Sequence, residues 1–348
     1  MSSSGASHLT AVSRVGIKEV ARAAGVSVTT VSHALNGKGR LPEETRERVR
    51  RVALELGYRP STTARNLVGR RTGLIGLTVS QAEGVPFALS DFAYFSQLMS
   101  AAATTAIERG YALVLAPPAA GRDGWLGVDV DGAVIVDPVR DDPLVHSLHR
   151  AAVPVVTTGQ VTGAEGRDPW VDNDHAAGTR SVLDHIARRG ARRIALVTSP
   201  PVTSYTEHSE AAYRAWCAEH GCEALVAYAR EDLTEGAGYA AASRLLSLPE
   251  PIDGVYATLD RLALGTLLAA EARSIHVPGD LLVVGNTDSD AARLATPSLT
   301  ALSLHPDEIG RRAVELLADV ITGADPPPPN VIVPTRIIPR ASTRRPVA

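Results

Sequence analysis

The stretch IKEVARAAGVSVTTVSHALNG, residues Ile17 to Gly37, decides how the front of this chain is read. Ile17, Val20, Ala21 and Ala24 recur at the spacing of one helix face. Gly25 can take the positive φ that ends such a helix in a sharp turn. Ser27 then offers a hydroxyl to accept a backbone N–H from the next helix's first turn. In that second helix Val31, Ala34 and Leu35 form an apolar stripe, while Val28, Thr29, Ser32, His33 and Asn36 occupy the other face. These side chains are short, mostly polar and nearly uncharged, which suits hydrogen bonds and methyl contacts to base edges in a major groove. The stretch is predicted to be a helix-turn-helix whose second helix enters DNA. A small helical hairpin packed inside a larger domain is the alternative that the pattern alone leaves open.

A third helix is predicted over 42–57, with Thr45, Val49, Val52, Ala53 and Leu56 as its buried stripe. Arg46, Arg48, Arg50 and Arg51 spread over the rest and can meet phosphates, contacts that position a protein without reading sequence. Pro42 suits a first helical turn, and Glu43 and Glu44 favour the positive helix end. The net charge of −3 hides an asymmetry: residues 1–71 hold 13 Lys and Arg against 5 Asp and Glu, leaving 22 basic against 33 acidic residues in the rest. A basic module on an acidic body points to a polyanion partner for the module alone.

With 348 residues and 45% hydrophobic content the chain can build more than one core. Cys217 and Cys222, without a second pair, read as reduced thiols of a cytosolic protein, and neither a metal nor a cofactor is expected. No apolar run approaches the ~18 residues of a membrane span. The first 15 residues lack a signal-peptide core and read as a disordered arm.

From residue 73 strands and helices alternate. Apolar runs at 74–79, 111–116, 132–137 and 153–158 form one set of buried parallel strands, and 193–198, 224–228, 254–258 and 281–285 a second. Helices are predicted near 92–109, 142–151, 174–189, 206–220, 236–247 and 260–273, with a shortened crossover at 117–131. A strand and a helix follow over 299–322, then a last strand at 331–338. Two such sets imply two doubly wound subdomains with a ligand cleft at the carboxyl ends of the strands.

Val20, Ala21, Ala24, Gly25, Val26, Ser27, Thr30, Val31, Ser32, Leu35 and Asn36 follow the pattern V-A-x-x-A-G-V-S-x-x-T-V-S-x-x-L-N. On this motif, the basic helix after it and the α/β body, the chain resembles the lactose-repressor (LacI/GalR) family of bacterial transcription regulators over nearly its whole length. The resemblance implies an α/β protein with a three-helix headpiece (16–60), a hinge helix and linker (61–72) and a periplasmic-binding-protein-like body (73–340). Its first subdomain would cover about 73–160 plus 293–322 and its second about 163–290 plus 325–340, with crossings near 160–163, 289–293 and 321–326. The hinge segment would fold when two copies meet in the minor groove, with Leu67 as the apolar wedge. Residues expected at the DNA are Ile17, Ser27, Val28, Thr29, Thr30, Ser32, His33, Asn36, Arg40, Thr45, Tyr58, Ser61, Thr63, Ala64 and Leu67.

In the cleft the expected residues are Phe87, Asp91, Tyr94, Asp137, Tyr205, Glu207, Ser209, Asp260, Asn286 and Asp288, a mixture of aromatic faces and polar groups suited to a sugar or nucleoside-like effector. Several positions depart from the family pattern. Its sugar-reading Arg is Ser209, an Asn is Leu259, and the first Asp of its G-x-D-D loop is Thr287. A frequent Arg of the recognition helix is His33, and Pro42 replaces a capping Ser or Thr.

The expected function is that of a regulator, most simply a repressor, acting as a cytoplasmic homodimer on a near-palindromic operator. Its dimer face would be the helix at 92–109, and a small molecule would switch it. Two competitors share the body. A nucleotide-type enzyme is opposed by the absence of G-x-G-x-x-G or a P-loop after the first strand, where Ser80-Gln81-Ala82-Glu83-Gly84 stands. A plain solute receptor would leave the basic headpiece without a task.

Overall fold

The computed structural model describes residues 15–35, 40–58, 71–80, 93–116, 128–163, 168–229, 233–323 and 330–345, and the chain divides into two units, 1–72 and 73–348. In the first unit α1 (Ile17–Ala24), α2 (Val28–Leu35) and α3 (Glu43–Glu55) enclose a core of Val20, Ala21, Ala24, Val31, Ala34, Val49 and Ala53. Gly25 ends α1 in the left-handed conformation (φ 66°, ψ 36°). Ser27 Oγ accepts the Thr30 N–H at 3.0 Å and so caps α2. Pro42 precedes α3 with no side-chain cap, leaving Glu43 and Glu44 to face the positive helix end. Leu56, expected in the buried stripe, is 38% exposed because α3 stops at Glu55 and places it past the last turn.

The second unit holds two six-stranded sheets. The first comprises β1 (Leu74–Val79), β2 (Ala112–Leu115), β3 (Gly132–Val136), β4 (Val155–Thr158), β5 (Trp170–Asn173) and β11 (Val331–Val333), in the order β11-β5-β4-β3-β1-β2. All its pairings are parallel. The near-continuous apolar strands follow from helices covering both faces: α4 (Ala93–Glu108) and α11 (Pro306–Thr322) pack with β1, β3, β4 and β5 over one core, and α5 (Pro143–Arg150) closes another. The α4–α11 crossing is close: a Cβ on Gly310 would stand 2.2 Å from the Leu98 carbonyl oxygen.

The second sheet comprises β6 (Ile194–Thr198), β7 (Leu225–Tyr228), β8 (Gly254–Ala257), β9 (Leu282–Asn286), β10 (Thr300–Ser303) and β12 (Arg336–Ile338), in the order β12-β10-β9-β8-β6-β7. Only β12 runs antiparallel, against β10. Around it lie α6 (His175–Ala187), α7 (Ser204–Glu219), α8 (Glu235–Leu245), α9 (Asp260–Glu271) and the short α10 (Asp290–Leu294). Cys217 is free and buried here, and burial pushes its thiol up to about 11. Among the described residues no helix is long and apolar enough to cross a membrane.

The chain crosses between subdomains three times, each time later than expected. β5 still pairs with β4 while α6 already packs on the second sheet, so the first crossing lies at Asp174 rather than 160–163. The tetrapeptide WVDN ends in two polar residues and leaves no apolar run to reveal a strand. β10 pairs with β9, which moves the second crossing from 289–293 to 304–305. The expected strand 331–338 is two strands in different sheets, broken at Pro334-Thr335, so the third crossing lies there and not at 321–326. Proline has no N–H to continue a ladder. One side chain joins all three: Asn173 Nδ2 donates to the carbonyls of Leu304 (3.1 Å) and Val333 (2.8 Å).

Candidate DNA-binding face and effector cleft

On the headpiece, the face of α2 away from the core presents Val28, 41% exposed, together with exposed Thr29 and the partly buried Ser32 and His33. No carboxylate or guanidinium stands on that helix. Ser27 and Thr30 hydroxyls bond each other at 2.8 Å, so both serve the cap before they serve a partner. Arg40 is exposed and Thr45 is partly buried on α3. Ile17 and Tyr58 pack against the headpiece core, leaving only their outer edges for contact. Arg46 pairs with Glu43 at 3.5 Å and Arg51 with Glu55 at 3.9 Å, whereas Arg48 and Arg50 form no ion pair among the described residues. Asn36, Ser61, Thr63, Ala64 and Leu67, like Phe87 and Asp91 of the cleft and the crossover 117–127, lie outside the described residues.

In the body the strand ends of both sheets meet around two carboxyls. Asp137 follows β3 in the left-handed region (φ 48°), held by its N–H donating to the Thr158 carbonyl at 2.9 Å. Such a conformation in a non-glycine residue costs about 1–3 kcal/mol and tends to cluster at functional sites. Asp172, next to last in β5, is buried, with Oδ1 at 2.7 Å from His175 Nε2. Burial, then the neighbouring Asp172 charge, pushes the Asp137 carboxyl up to about 7, and His175 pulls the other way. Asp172 Oδ2, Thr158 Oγ1 and Ser209 Oγ are buried without a hydrogen-bond partner among the described residues.

Aromatic residues surround this pair. Tyr94 packs against cores of both subdomains, and burial followed by Asp137 and Asp172 holds its hydroxyl well above the usual phenol range. The Tyr205 ring lies 4.8 Å from that of His175. Its hydroxyl donates to the Thr258 carbonyl and accepts from Asn286 Nδ2, while Asn286 Oδ1 accepts from Tyr256 at 2.9 Å. Asn286 therefore orients Tyr205 and has little capacity left for a ligand. Asp172 and His175, which sequence reading did not select, stand beside Asp137 and Tyr205. An Asp at a strand end was the available signal, hidden because its strand was not visible.

The remaining expected residues sit at the margin. Glu207 accepts a 2.9 Å ion pair from Arg140 across the subdomains, beside the Val139–Thr203 bridge and a Gln160 N–H bond to Ser204 Oγ at 3.0 Å. Asp260 is the first residue of α9 and accepts the Arg261 N–H, and burial raises its carboxyl above the usual range. Asp288 is clamped by Arg340 and by Arg293 at 3.2 Å. Thr287 adopts a φ of 67°, and Leu259 packs against cores of both subdomains. No group of three His, Cys, Asp or Glu that could hold a metal occurs among the described residues.

Comparison with known proteins agrees with this architecture. Residues 16–61 match the model for bacterial regulatory proteins of the lacI family, and 183–343 that for a periplasmic binding protein-like domain. The HTH-type transcriptional regulator CelR of Thermobifida fusca is 34% identical over 339 residues, covering 94% of this chain and 98% of its own. The HTH-type transcriptional repressor PurR of Shigella dysenteriae serotype 1 (strain Sd197) is 29% identical over 346 residues, covering 94% and 96%. Among solved structures, a CelR–cellobiose complex matches with a TM-score of 0.71 at 31% identity, over 94% of this chain and 100% of that one. A lac repressor dimer bound to operator and the anti-inducer ONPF matches in fold, with a TM-score of 0.79 at 24% identity over 95% and 99%. With a helix-turn-helix unit, a two-sheet body and relatives that are regulators end to end, the chain belongs to the lacI family of bacterial regulatory proteins: it is a transcriptional regulator, not an enzyme.

Proposed function

We propose that the protein is a cytoplasmic repressor that binds a near-palindromic operator as a homodimer and is switched by a small molecule in the inter-subdomain cleft. The observation that carries the DNA half is the α2 face: solvent-facing, uncharged and accompanied by the arginines of α3. Val28 and Thr29 then read bases through a methyl and a hydroxyl, Ser32 and His33 add hydrogen bonds, and Arg48 and Arg50 hold phosphates. Residues 61–68 would pair with those of a second copy in the minor groove, and the outer face of α4 would carry the dimer contact.

Asp137, Asp172 and the rings of Tyr94 and Tyr205 offer acceptors and flat apolar faces, a combination that suits a hydroxyl-rich ring such as a sugar or nucleoside. The CelR relative solved with cellobiose supports a carbohydrate. Ser209 supplies a hydroxyl where the family pattern has a cation, so the binding mode would differ from that of a sugar clamped by Arg. Closure about the three crossings joined by Asn173 would shift the first subdomains of the dimer against each other. An effector changes DNA affinity only by its differential affinity for the two arrangements. A footprint on the protein's own upstream DNA, repeated with cello-oligosaccharides, other sugars and nucleosides, tests this. One compound should change the protection; a footprint indifferent to all of them would remove the sugar or nucleoside reading while leaving DNA binding intact.

A further inference from the structure

Away from the cleft, the second subdomain carries a groove of about 600 Å³ lined by Arg188, Arg189, Gly190, Thr343, Arg344 and Arg345. Two segments more than 150 residues apart build it. Arg188 and Arg189 follow α6, where the chain turns through Gly190 (φ 92°). Arg344 and Arg345 follow a 3₁₀ turn at Ala341–Thr343. Ser342 fixes that turn, its Oγ donating to the Val283 carbonyl at 2.6 Å and accepting the Thr300 N–H at 2.8 Å. The backbone that carries the four arginines is thus fixed by the fold on both sides of the groove.

Their charge is not compensated. Elsewhere in this acidic body arginines find carboxylates, as Arg180 does with Glu219, Arg311 with Glu308 and Arg340 with Asp288. None of these four has an Asp or Glu within ion-pair distance among the described residues. Asp280 acts on Arg345 from farther away and is already held by His276 at 3.3 Å. Arg189 donates to the His185 carbonyl (3.2 Å) and Arg345 to the carbonyls of Arg189 (3.3 Å) and Pro278 (3.2 Å), so the carbonyls that would repel an anion are covered. Arg188 and Arg344 make no side-chain hydrogen bond at all among the described residues. Burial depresses Arg189 and lowers His185 to about 4, and the neighbouring arginines push each further in the same direction, a like-charge contribution that an anion would offset.

We propose that this groove is a second ligand site, distinct from the cleft, that takes the phosphoryl group of a small molecule between Arg188 and Arg344 with Arg189 and Arg345 behind it. Guanidinium forks match phosphate oxygens two at a time, and the groove is within the size range of small-ligand pockets. The shared chemistry is the phosphoryl anion; its carrier could be inorganic, a sugar or a nucleotide.

Isothermal titration of the full chain at about 150 mM salt, where exposed single charges are screened, tests the site. Pyrophosphate, glucose 6-phosphate and ATP are the three probes, each run against wild type, R188A/R344A and the headpiece variant R48A/R50A. Saturable binding of at least one probe is expected, weakened about tenfold or more in R188A/R344A, consistent with loss of two charge-assisted contacts, and unchanged in R48A/R50A. The preferred probe identifies the carrier. Because Arg188 and Arg344 hold nothing in the fold, R188A/R344A should melt like wild type and bind operator equally well. The proposal is overturned if no probe binds, if R188A/R344A binds as wild type does, if binding vanishes in R48A/R50A, or if R188A/R344A loses operator affinity, since the last two would place the anion at the DNA-binding surface.

Discussion

Replacing Asp137 by Asn tests the electrostatics at the centre of the cleft. The Asp137 carboxyl is raised from its ordinary 3.8 to about 7, by burial first and by Asp172 second. The folded state therefore holds a proton that the unfolded state releases, and Asp137 costs stability progressively as pH rises from about 4 to about 7. At ~1.4 kcal/mol per unit the full penalty has a ceiling of about 4 kcal/mol above pH 7, of which about 2–3 kcal/mol develops between pH 5 and pH 8. Asp137 keeps some solvent contact, so these are upper bounds. Asn removes the titration while keeping the shape. Urea unfolding followed by tryptophan fluorescence is the assay, since Trp125, Trp170 and Trp216 all lie in the 73–348 unit and the headpiece is silent. D137N should gain on wild type as pH rises from 5 to 8. A stability difference that stays flat, or one that moves the opposite way, would refute the picture of two carboxyls sharing a buried site.

Other outcomes follow from the same geometry. N173A strips the Leu304 and Val333 carbonyls of a buried donor and should cost about 2–4 kcal/mol in urea unfolding, with a weaker effector response in footprinting. S27A removes the α2 cap and should destabilise the headpiece by about 1 kcal/mol, read as a lower melting temperature of far-UV helix signal; an unchanged melt would argue against the cap. R48A/R50A removes four phosphate contacts from the dimer and should weaken binding to all duplexes alike and reduce the slope of log K against log salt by about 4, whereas T29A should change which duplex is preferred. G310A should destabilise the body strongly, because its Cβ would collide with the Leu98 carbonyl and force α4 and α11 apart.

The elements legible in the sequence were those whose pattern is set locally. Val20, Ala21 and Ala24 on one helix face, Gly25 in the turn and Ser27 as a cap are choices the chain makes within ten residues, and most strands of both sheets announce themselves as apolar runs, although β2, expected buried, is an edge strand open to solvent. What escaped depends on contacts far apart in sequence. β5 is short and half polar because Asp172 and Asn173 look after the cleft and the crossings rather than the core, so no hydrophobic pattern marks it. β11 and β12 read as one apolar run because their different partners, β5 for β11 and β10 for β12, separate them, with Pro334 the one local sign of the break. Asp137 and Tyr205 could be placed near the strand ends from their positions after apolar runs, and Tyr94 from the helix that follows the first strand. That Asn286 serves Tyr205, that Asp288 serves Arg340 and that His175 faces Asp172 could not be told from spacing, since each depends on which loops the two sheets bring together.

Selection of duplexes from a random pool by the intact protein, at near-physiological salt, bears most directly on the central claim that an uncharged face of α2 reads bases for a two-fold dimer. Enrichment of one sequence built from two inverted half-sites is expected, with a different preference for T29A. A pool that emerges without any preferred sequence, or with a single unrepeated half-site, would contradict it.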